Sequence, residues 1–472
     1  MYQIRRWVVL VSILVGLLLP LASAQAAQAL APEALARAKA SGNARVLVML
    51  QMPAAAASGM TTARQAEAVR SRVDRVLARL PAKGHVVLRR FKVVPAIALR
   101  ADVATLRRLA RDPAVLRIDL DVGGSGGAVA ADEASVLNRV SGLRGLGLDG
   151  RGMKVAVIDS GLDTDHPDLR AHLVGQQCFC SNTSGSGGCC PSGAAQQSGA
   201  GAAEDDNGHG TNVTGIVVGA GIAAPAGAVP AASLVAVKVL DADGRFCCSS
   251  DIVAALDWLA ANHPDVDAVN MSLVTDAVFE GDCDGSTAWT QALSSAIAAL
   301  NARGAVVAVS SGNRGNLMAT SAPACIRDAL GVAATWDANI GSVDYLGCSD
   351  ATTAARKPTC FSNRSATTDL FAAGAFVTAA GLGGGTSTYG GTSMAAPMVA
   401  ACAVALRQAA PVATVDQRMD AMKLSLTRIN DPASGRVYPF LDCVDAVRLL
   451  NPGILKPIPL NGSQPLLPSP TG

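Results

Sequence analysis

The chain is expected to fold as an α/β protein, a parallel sheet with helices on both faces, preceded by a small α+β domain of ferredoxin type. Three observations predict this. Short apolar runs such as Lys154-Val-Ala-Val-Ile-Asp159, Leu234-Val-Ala-Val-Lys-Val-Leu240 and Ala305-Val-Val-Ala-Val309 alternate with helical segments, as buried parallel strands do. Residues 389–410, YGGTSMAAPMVAACAVALRQAA, are small or apolar on every side until Arg407 and Gln408, and such a helix belongs inside a large core. The 472 residues, half of them hydrophobic, supply core material for more than one domain.

Residues 1–26 read as a secretory signal. Arg5 and Arg6 lead an apolar run from Trp7 to Ala22, and Ala22-Ser23-Ala24 or Ala24-Gln25-Ala26 offers small residues for cleavage. A membrane anchor is the alternative, but the run is short, contains Pro20 and passes straight into small residues. No later segment has the length of a membrane span. All twelve cysteines lie between Cys178 and Cys443. Behind an export signal an even number reads as disulfides, and Cys178-Phe-Cys180, Cys189-Cys190 and Cys247-Cys248 lack the paired spacing of zinc sites. Cys402, inside the core helix, is a candidate for a buried free thiol.

The net charge of +2 conceals an asymmetry. Residues 30–127 carry 17 Lys+Arg against 7 Asp+Glu, a net of +10, whereas from Ala128 onward 20 against 30 give −10. A basic and an acidic piece on one chain point to mutual attraction rather than to nucleic acid.

The basic piece, residues 27–127, reads as strand (Arg45–Leu50), helix (Thr61–Leu80), strands (His85–Arg90 and Ala96–Arg100), helix (Ala101–Arg111) and strand (Val115–Leu120). That βαββαβ order is a split-βαβ sandwich, a fold shared by many unrelated domains. After Asp121, Val122-Gly-Gly-Ser-Gly-Gly127 is a flexible stretch able to reach a site in extended form. The acidic piece, residues 128–450, continues the alternation with a helix at Asp251–Ala261, a strand at Val266–Leu273, a helix at Thr287–Arg303 and strands at Ala329–Ala334 and Asp369–Gly374. Cys178–Ala203, rich in Gly, Ser and Cys, reads as a disulfide-tied surface insertion. Residues 451–472, with six prolines from Pro452 onward and no core pattern, read as a disordered tail.

Four segments stand out chemically. Asp159 ends a buried strand before Ser160-Gly161, where α/β folds place their sites, although a lone Asp there caps a turn equally well. His209 is flanked by glycines and opens a small-residue helix. Asn313 ends Ser310-Ser-Gly-Asn313 after a strand. Ser393, reached through Gly390-Gly391, starts the core helix, where unused N–H groups and the dipole favour an anion. Pro397 is expected in the first turn of that helix, which has no use for its N–H.

DSGLDTDHPDL at Asp159, NGHGT at His209, SSGN at Asn313 and GTSMAAP at Ser393 resemble, in this order, the motifs of the subtilisin-like serine proteases, or subtilases. The likeness spans roughly residues 40–450, and Ala96–Ala101 with Leu109–Asp119 resembles the second half of the family's prosegment. It implies a secreted serine endopeptidase made as a self-processed precursor, with residues 27–127 as intramolecular chaperone and inhibitor. Asp159, His209 and Ser393 would be the triad, in an order distinct from chymotrypsin and the α/β-hydrolases. Asn313 would donate to the oxyanion with the Ser393 N–H, supported by Thr392. Asn212 stands where the family usually carries a second histidine, a departure expected to tune packing rather than abolish activity.

The resemblance further implies that Ser272, Leu273 and Val274, with Ser311, Gly312 and Arg314, wall the pocket for the side chain before the scissile bond. Family members commonly continue that strand with Gly-Gly; here Val274 and Thr275 follow. A β-branched Val274 would fill space and Arg314 would charge the rim, favouring small or acidic side chains; otherwise Val274 points away and Arg314 is solvated. No cofactor is required. Structural calcium is a family-level suggestion, with Asp163, Asp165 and Asp168, or Asp241 and Asp243, as oxygen donors. The expected partners are protein or peptide substrates and the chain's own prosegment, without nucleic acid or membrane, the chain acting as a monomer. Three rival readings fit less well. A GxSxG esterase would not place its serine in GTSMA, a sedolisin-type carboxyl peptidase would carry a glutamate in place of His209, and a catalytically inactive subtilase-fold binding protein would be expected to have lost a triad member.

Overall fold

In a computed structural model, residues 29–52, 62–125, 134–182 and 187–454 are described. The expected signal sequence, the junction beyond Ser125 and most of the Pro-rich tail lie outside them. Among the described residues no helix is long and apolar enough to cross a membrane.

The amino-terminal unit runs α1 (Pro32–Ser41), β1 (Ala44–Leu50), α2 (Thr62–Leu77), β2 (His85–Arg90), β3 (Ala96–Ala101), α3 (Val103–Leu109) and β4 (Val115–Leu120). Its antiparallel sheet has the order β2-β3-β1-β4, the connectivity of a split βαβ unit. Strand β1 explains why the run VLVML lacks polar alternation. Val46, Val48 and Leu50 pack with Val69, Val73 and Val76 of α2, while Leu47 and Met49 on the other face pack against the larger unit. Both faces of this sheet are therefore covered, one by its own helices and one by the rest of the chain. Helix α1 has no counterpart in the sequence reading, because its ten residues bury only Ala34 and Ala38.

The chain then forms the two-residue strand β5 (Gly124–Ser125) and enters the larger unit. There follow β6 (Lys154–Asp159), β7 (Leu173–Phe179), β8 (Gln196–Ser198), α4 (His209–Val218), β9 (Ser233–Lys238), β10 (Arg245–Phe246) and α5 (Ser249–Asn262). Next come β11 (Ala268–Met271), β12 (Val274–Thr275), α6 (Ala288–Asn301), β13 (Val306–Ser310), β14 (Leu330–Trp336), β15 (Leu370–Ala375) and α7 (Thr392–Ala409). The central sheet has the order β15-β14-β13-β11-β6-β9-β7-β8, parallel except for β8. Strand residues alternate between two cores. Val155, Val157, Leu234, Ala236, Val306 and Ala308 face α4 and α7, whereas Ala156, Ile158, Val235, Val237, Val307 and Val309 face α5 and α6. The continuous apolar runs follow from burial on both faces.

Helix α7 is buried from Thr392 through Leu406, as its composition requires. Pro397 departs from expectation. It lies in the second turn, so its missing N–H leaves the Ser393 carbonyl without its intrahelical donor. The Ser272 hydroxyl takes that place, donating to Ser393 O at 2.6 Å.

All twelve cysteines are paired: Cys178–Cys190, Cys180–Cys189, Cys247–Cys248, Cys283–Cys325, Cys348–Cys360 and Cys402–Cys443. Cys402 is thus no free thiol. The last helix, α8 (Cys443–Leu450), lies against α7 and brings Cys443 to it, a contact between segments 41 residues apart that spacing could not reveal.

Candidate active site

Strand β6 carries Asp159 to the carboxyl edge of the central sheet, where the residue is 1% exposed. Its Oδ1 accepts from His209 Nδ1 at 2.6 Å and from the Ser160 N–H at 2.7 Å. A carboxylate can only accept, so Nδ1 carries the proton and Nε2 keeps its lone pair. His209 is the first residue of α4, and the ring of Tyr389 stands edge-on to it at 5.9 Å, which brings the approach to Ser393 beside the imidazole.

The loops bearing Asp159 and His209 are laced together by Asp205, which the sequence reading passed over. Its carboxylate accepts from Ser160 Oγ at 2.8 Å, from the N–H groups of Asn207, Gly208 and Thr211 at 3.0 Å, and from Thr211 Oγ1 at 2.6 Å. Burial alone would raise its pKa, but the bonds from Gly208, Thr211, Asn207 and Ser160 outweigh that and hold it below the ordinary carboxylate range. Ser160 Oγ accepts in turn from Gly210 N at 2.8 Å, and any side chain at 210 would collide with the Gly161 carbonyl. The available signal was the acidic pair Asp205-Asp206 directly before Asn207-Gly-His209.

Ser393 is the second residue of α7 and 2% exposed; its Oγ donates to Ser272 O at 3.3 Å. Asn270 Nδ2 donates to Ser272 Oγ at 2.9 Å, fixing the hydroxyl that holds the Ser393 carbonyl. Asn313, three residues past the end of β13, accepts through Oδ1 from Thr392 N at 2.9 Å and Thr392 Oγ1 at 2.8 Å. Both partners offer protons, so the oxygen must face them and Nδ2 is turned outward beside Gly391. A Cβ on Gly391 would stand 3.1 Å from that nitrogen. Thr392 Oγ1 also accepts from Gly312 N at 3.2 Å.

The other sequence-predicted residues gather around this centre. Leu273 is buried, Val274 half-buried, and Ser311 Oγ donates to Asn363 O at 2.7 Å. Asn363, unforeseen, accepts through Oδ1 from the N–H groups of Arg314 and Asn316 at 3.0 Å and shapes the turn after Asn313. Arg314 is paired with the Asp276 carboxylate and donates to the Asp276 carbonyl at 2.7 Å. The charge that Arg314 brings to the rim is thus partnered by Asp276, a neighbour just past β12, with both side chains more than half exposed. Asn212 is buried and donates to Ser387 O at 2.7 Å, tying α4 to the strand Gly385–Tyr389.

Of the carboxylates considered for calcium, Asp163 and Asp165 approach each other within hydrogen-bonding reach. Asp168 accepts from the N–H groups of Ile222, Ala223 and Ala224, Asp163 from Gly384 N at 3.0 Å, and Asp241 from the N–H groups of Asp243 and Arg245. Both oxygens of Asp168, and one oxygen each of Asp163 and Asp241, are thus bound to backbone amides. Among the described residues, the one grouping of three ligand-bearing side chains at metal-binding separation is Cys247, Cys248 and Asp251, whose sulfurs are bonded to each other.

The chain itself occupies the lane beside this centre. Strand β5 lies between β10 and β12, antiparallel to both, with Gly124 facing Phe246 and Thr275 and Ser125 facing Arg245 and Val274. The amino-terminal unit behind it is docked by acidic groups at helix starts. Asp119 accepts from Ala288 N at the start of α6, and Asp121 from Ser249 Oγ at 2.9 Å and Ser250 N at 2.7 Å at the start of α5. Asp257 of α5 accepts from the N–H groups of Lys92 and Val93 at 2.7 Å and of Val94 at 3.0 Å. Arg89–Asp251 is the one ion pair between the units among the described residues.

Residues 150–438 match the model of the subtilase family. The chain belongs to the subtilase family. It is 30% identical over 350 residues to subtilisin E of Bacillus subtilis (strain 168), covering 74% of this chain and 80% of that one. It is 31% identical over 355 residues to an extracellular serine proteinase of Thermus sp. (strain Rt41A), with 73% and 74% covered. To the minor extracellular protease Epr of Bacillus subtilis (strain 168) it is 29% identical over 373 residues, with 75% and 49% covered. Membership makes the chain a serine-endopeptidase-type subtilase acting on protein and peptide substrates.

Proposed function

We propose that the chain is a secreted serine endopeptidase that releases itself from its own amino-terminal unit, using Asp159, His209 and Ser393. The extracellular names of the relatives and the apolar start of the sequence support secretion. Ser393 Oγ attacks the scissile carbonyl carbon as its proton passes to His209 Nε2. The oxygen that gains charge is met by Asn313 Nδ2 and the Ser393 N–H at the head of α7. The imidazolium then hands its proton to the leaving amine as the C–N bond breaks, and water releases the acyl group by the same steps in reverse. Asp159 holds the tautomer throughout and stabilises the imidazolium.

The observation that carries this reading is the seating of β5 between β10 and β12 as a bound strand. Ser125 faces Val274, two positions along from Ser272, whose carbonyl is the acceptor of Ser393 Oγ. That register predicts cleavage between Gly127 and Ala128, residues outside the described ones. The native protein should therefore carry a new amino terminus at Ala128, and Ser393→Ala should purify as one uncut, folded chain. Maturation of the variant after removal of other proteases would overturn self-processing. Labelling of the native enzyme by a serine-directed phosphonate at pH 8 separates it from an inactive binding protein.

A further inference from the structure

Gly123 sits in the lane with β5. Its carbonyl accepts from Asp276 N at 3.5 Å, continuing the ladder that pairs Gly124 with Thr275 and Ser125 with Val274. A Cβ built on Gly123 would stand 2.5 Å from Phe246 O and 2.8 Å from Cys247 O. Both are main-chain atoms, so no side chain can swing aside to admit it. Gly123 is not among the glycines with positive φ, so lack of space, not backbone conformation, demands glycine here.

The wall that excludes the Cβ has little freedom to yield. Cys247 is bonded to Cys248, its own neighbour, in a small ring that contains their peptide bond. Cys248 is the N-cap of α5, and the Phe246 side chain is 3% exposed in the core beneath that helix. A bridge between adjacent residues closes only that small ring and ties no distant segments together, so it removes little entropy from the unfolded chain. Its effect is confined to local geometry, at the corner where β10 hands over to α5.

Resting on the endopeptidase reading, we infer that the Cys247–Cys248 disulfide is the rigid wall of a subsite that accepts only glycine, five residues before the scissile bond. Substrates that lie in the same register are glycine-rich extended segments. The self-cleavage segment Gly123-Gly-Ser-Gly-Gly127 is one such segment. Beyond it, selection acts on the main-chain path rather than on a side-chain pocket.

The test uses mature enzyme and internally quenched peptides X-Gly-Ser-Gly-Gly-Ala-Val with X as Gly, Ala or Leu. The expected result is a fall in kcat/KM of about tenfold from Gly to Ala and more to Leu, carried by KM. In a Cys247→Ser/Cys248→Ser double variant the discrimination at X should collapse towards unity, while the response to replacing the glycine just before the scissile bond stays unchanged. Equal cleavage of the Gly and Leu peptides by the native enzyme, or full discrimination in the double variant, overturns the inference. Should the double variant fail to fold, Gly123→Ala in the full precursor gives the same answer: slowed self-cleavage is expected, and native processing overturns the inference. Turnover without discrimination at X sinks this inference alone, whereas no turnover of any peptide and no phosphonate labelling sinks the endopeptidase reading with it.

Discussion

Asn313 and Thr392 behave as one device. In the proposed mechanism the amide is free to donate to a developing oxyanion because Thr392 claims its oxygen twice, by N–H and by hydroxyl. Asn313→Ala should lower kcat about 10²–10³-fold with KM little changed, a magnitude known from an oxyanion donor of a subtilisin. Thr392→Val keeps the volume and loses the hydroxyl, so a smaller fall in kcat is expected; an unchanged kcat would show that the amide needs no support. Asp205 yields a pH prediction. Its pKa is depressed in the folded protein, so its stabilisation is present above the unfolded value near 4 and is lost as pH falls through the lower folded value. Asp205→Asn should cost about 2–3 kcal/mol at pH 7, measured by urea unfolding in a Ser393→Ala background that prevents autolysis. The gap to the parent should narrow below about pH 4, and a pH-independent gap would contradict the assignment. Asp159, His209, Asn313 and Ser393 were legible because each sits in a motif with its own glycines. Asp205 and Asn363 were not, since their importance lies in which backbone N–H groups converge on them, and nothing in residue type announces that.

At the scale of elements, the buried strands and α7 could be read directly, because burial on all sides leaves an uninterrupted apolar run. Helix α1 could not, because it buries only two alanines, and neither could the two-residue strands β5, β10 and β12, which are too short for periodicity and defined only by their partners. The disulfide between α7 and α8 belongs to the same class. It joins the helix that bears Ser393 to the last helix across 41 residues. Cys402→Ala with Cys443→Ala should lower stability by about 2–4 kcal/mol while leaving kcat nearly unchanged, because the bridge lies more than two turns along α7 from Ser393. Equal urea midpoints for the variant and its parent would show that packing of α8 alone holds the end of α7. Pro397 illustrates the limit of element-level reading: the sequence shows a proline early in a helix, but only the fold supplies the Ser272 hydroxyl that makes it harmless.

For the whole molecule, the opposed net charges of the two pieces suggest docking by long-range attraction, yet the interface is built otherwise. Only Arg89–Asp251 pairs across it among the described residues, with side chains 10% and 0% exposed and so poorly reached by salt. Beside arginine bonds such as Arg45 to Ser250 Oγ at 2.9 Å and Arg89 to Ala195 O at 3.2 Å, polar contacts place Asp119 and Asp121 of the basic unit at the starts of α6 and α5, and Asp257 of the acidic unit under three amides of the loop after β2. These are charge-assisted hydrogen bonds at short range, worth about 1.5–3 kcal/mol each when one partner is removed. Dissociation of the cut complex, followed as the appearance of peptidase activity after dilution, should therefore depend only weakly on salt from low to molar concentration. Asp121→Asn removes the charge that holds the start of α5 and should speed release about 10–100-fold, corresponding to that energy. A steep salt dependence together with a silent Asp121→Asn would mean that the +10 and −10 pieces are held by their fields after all.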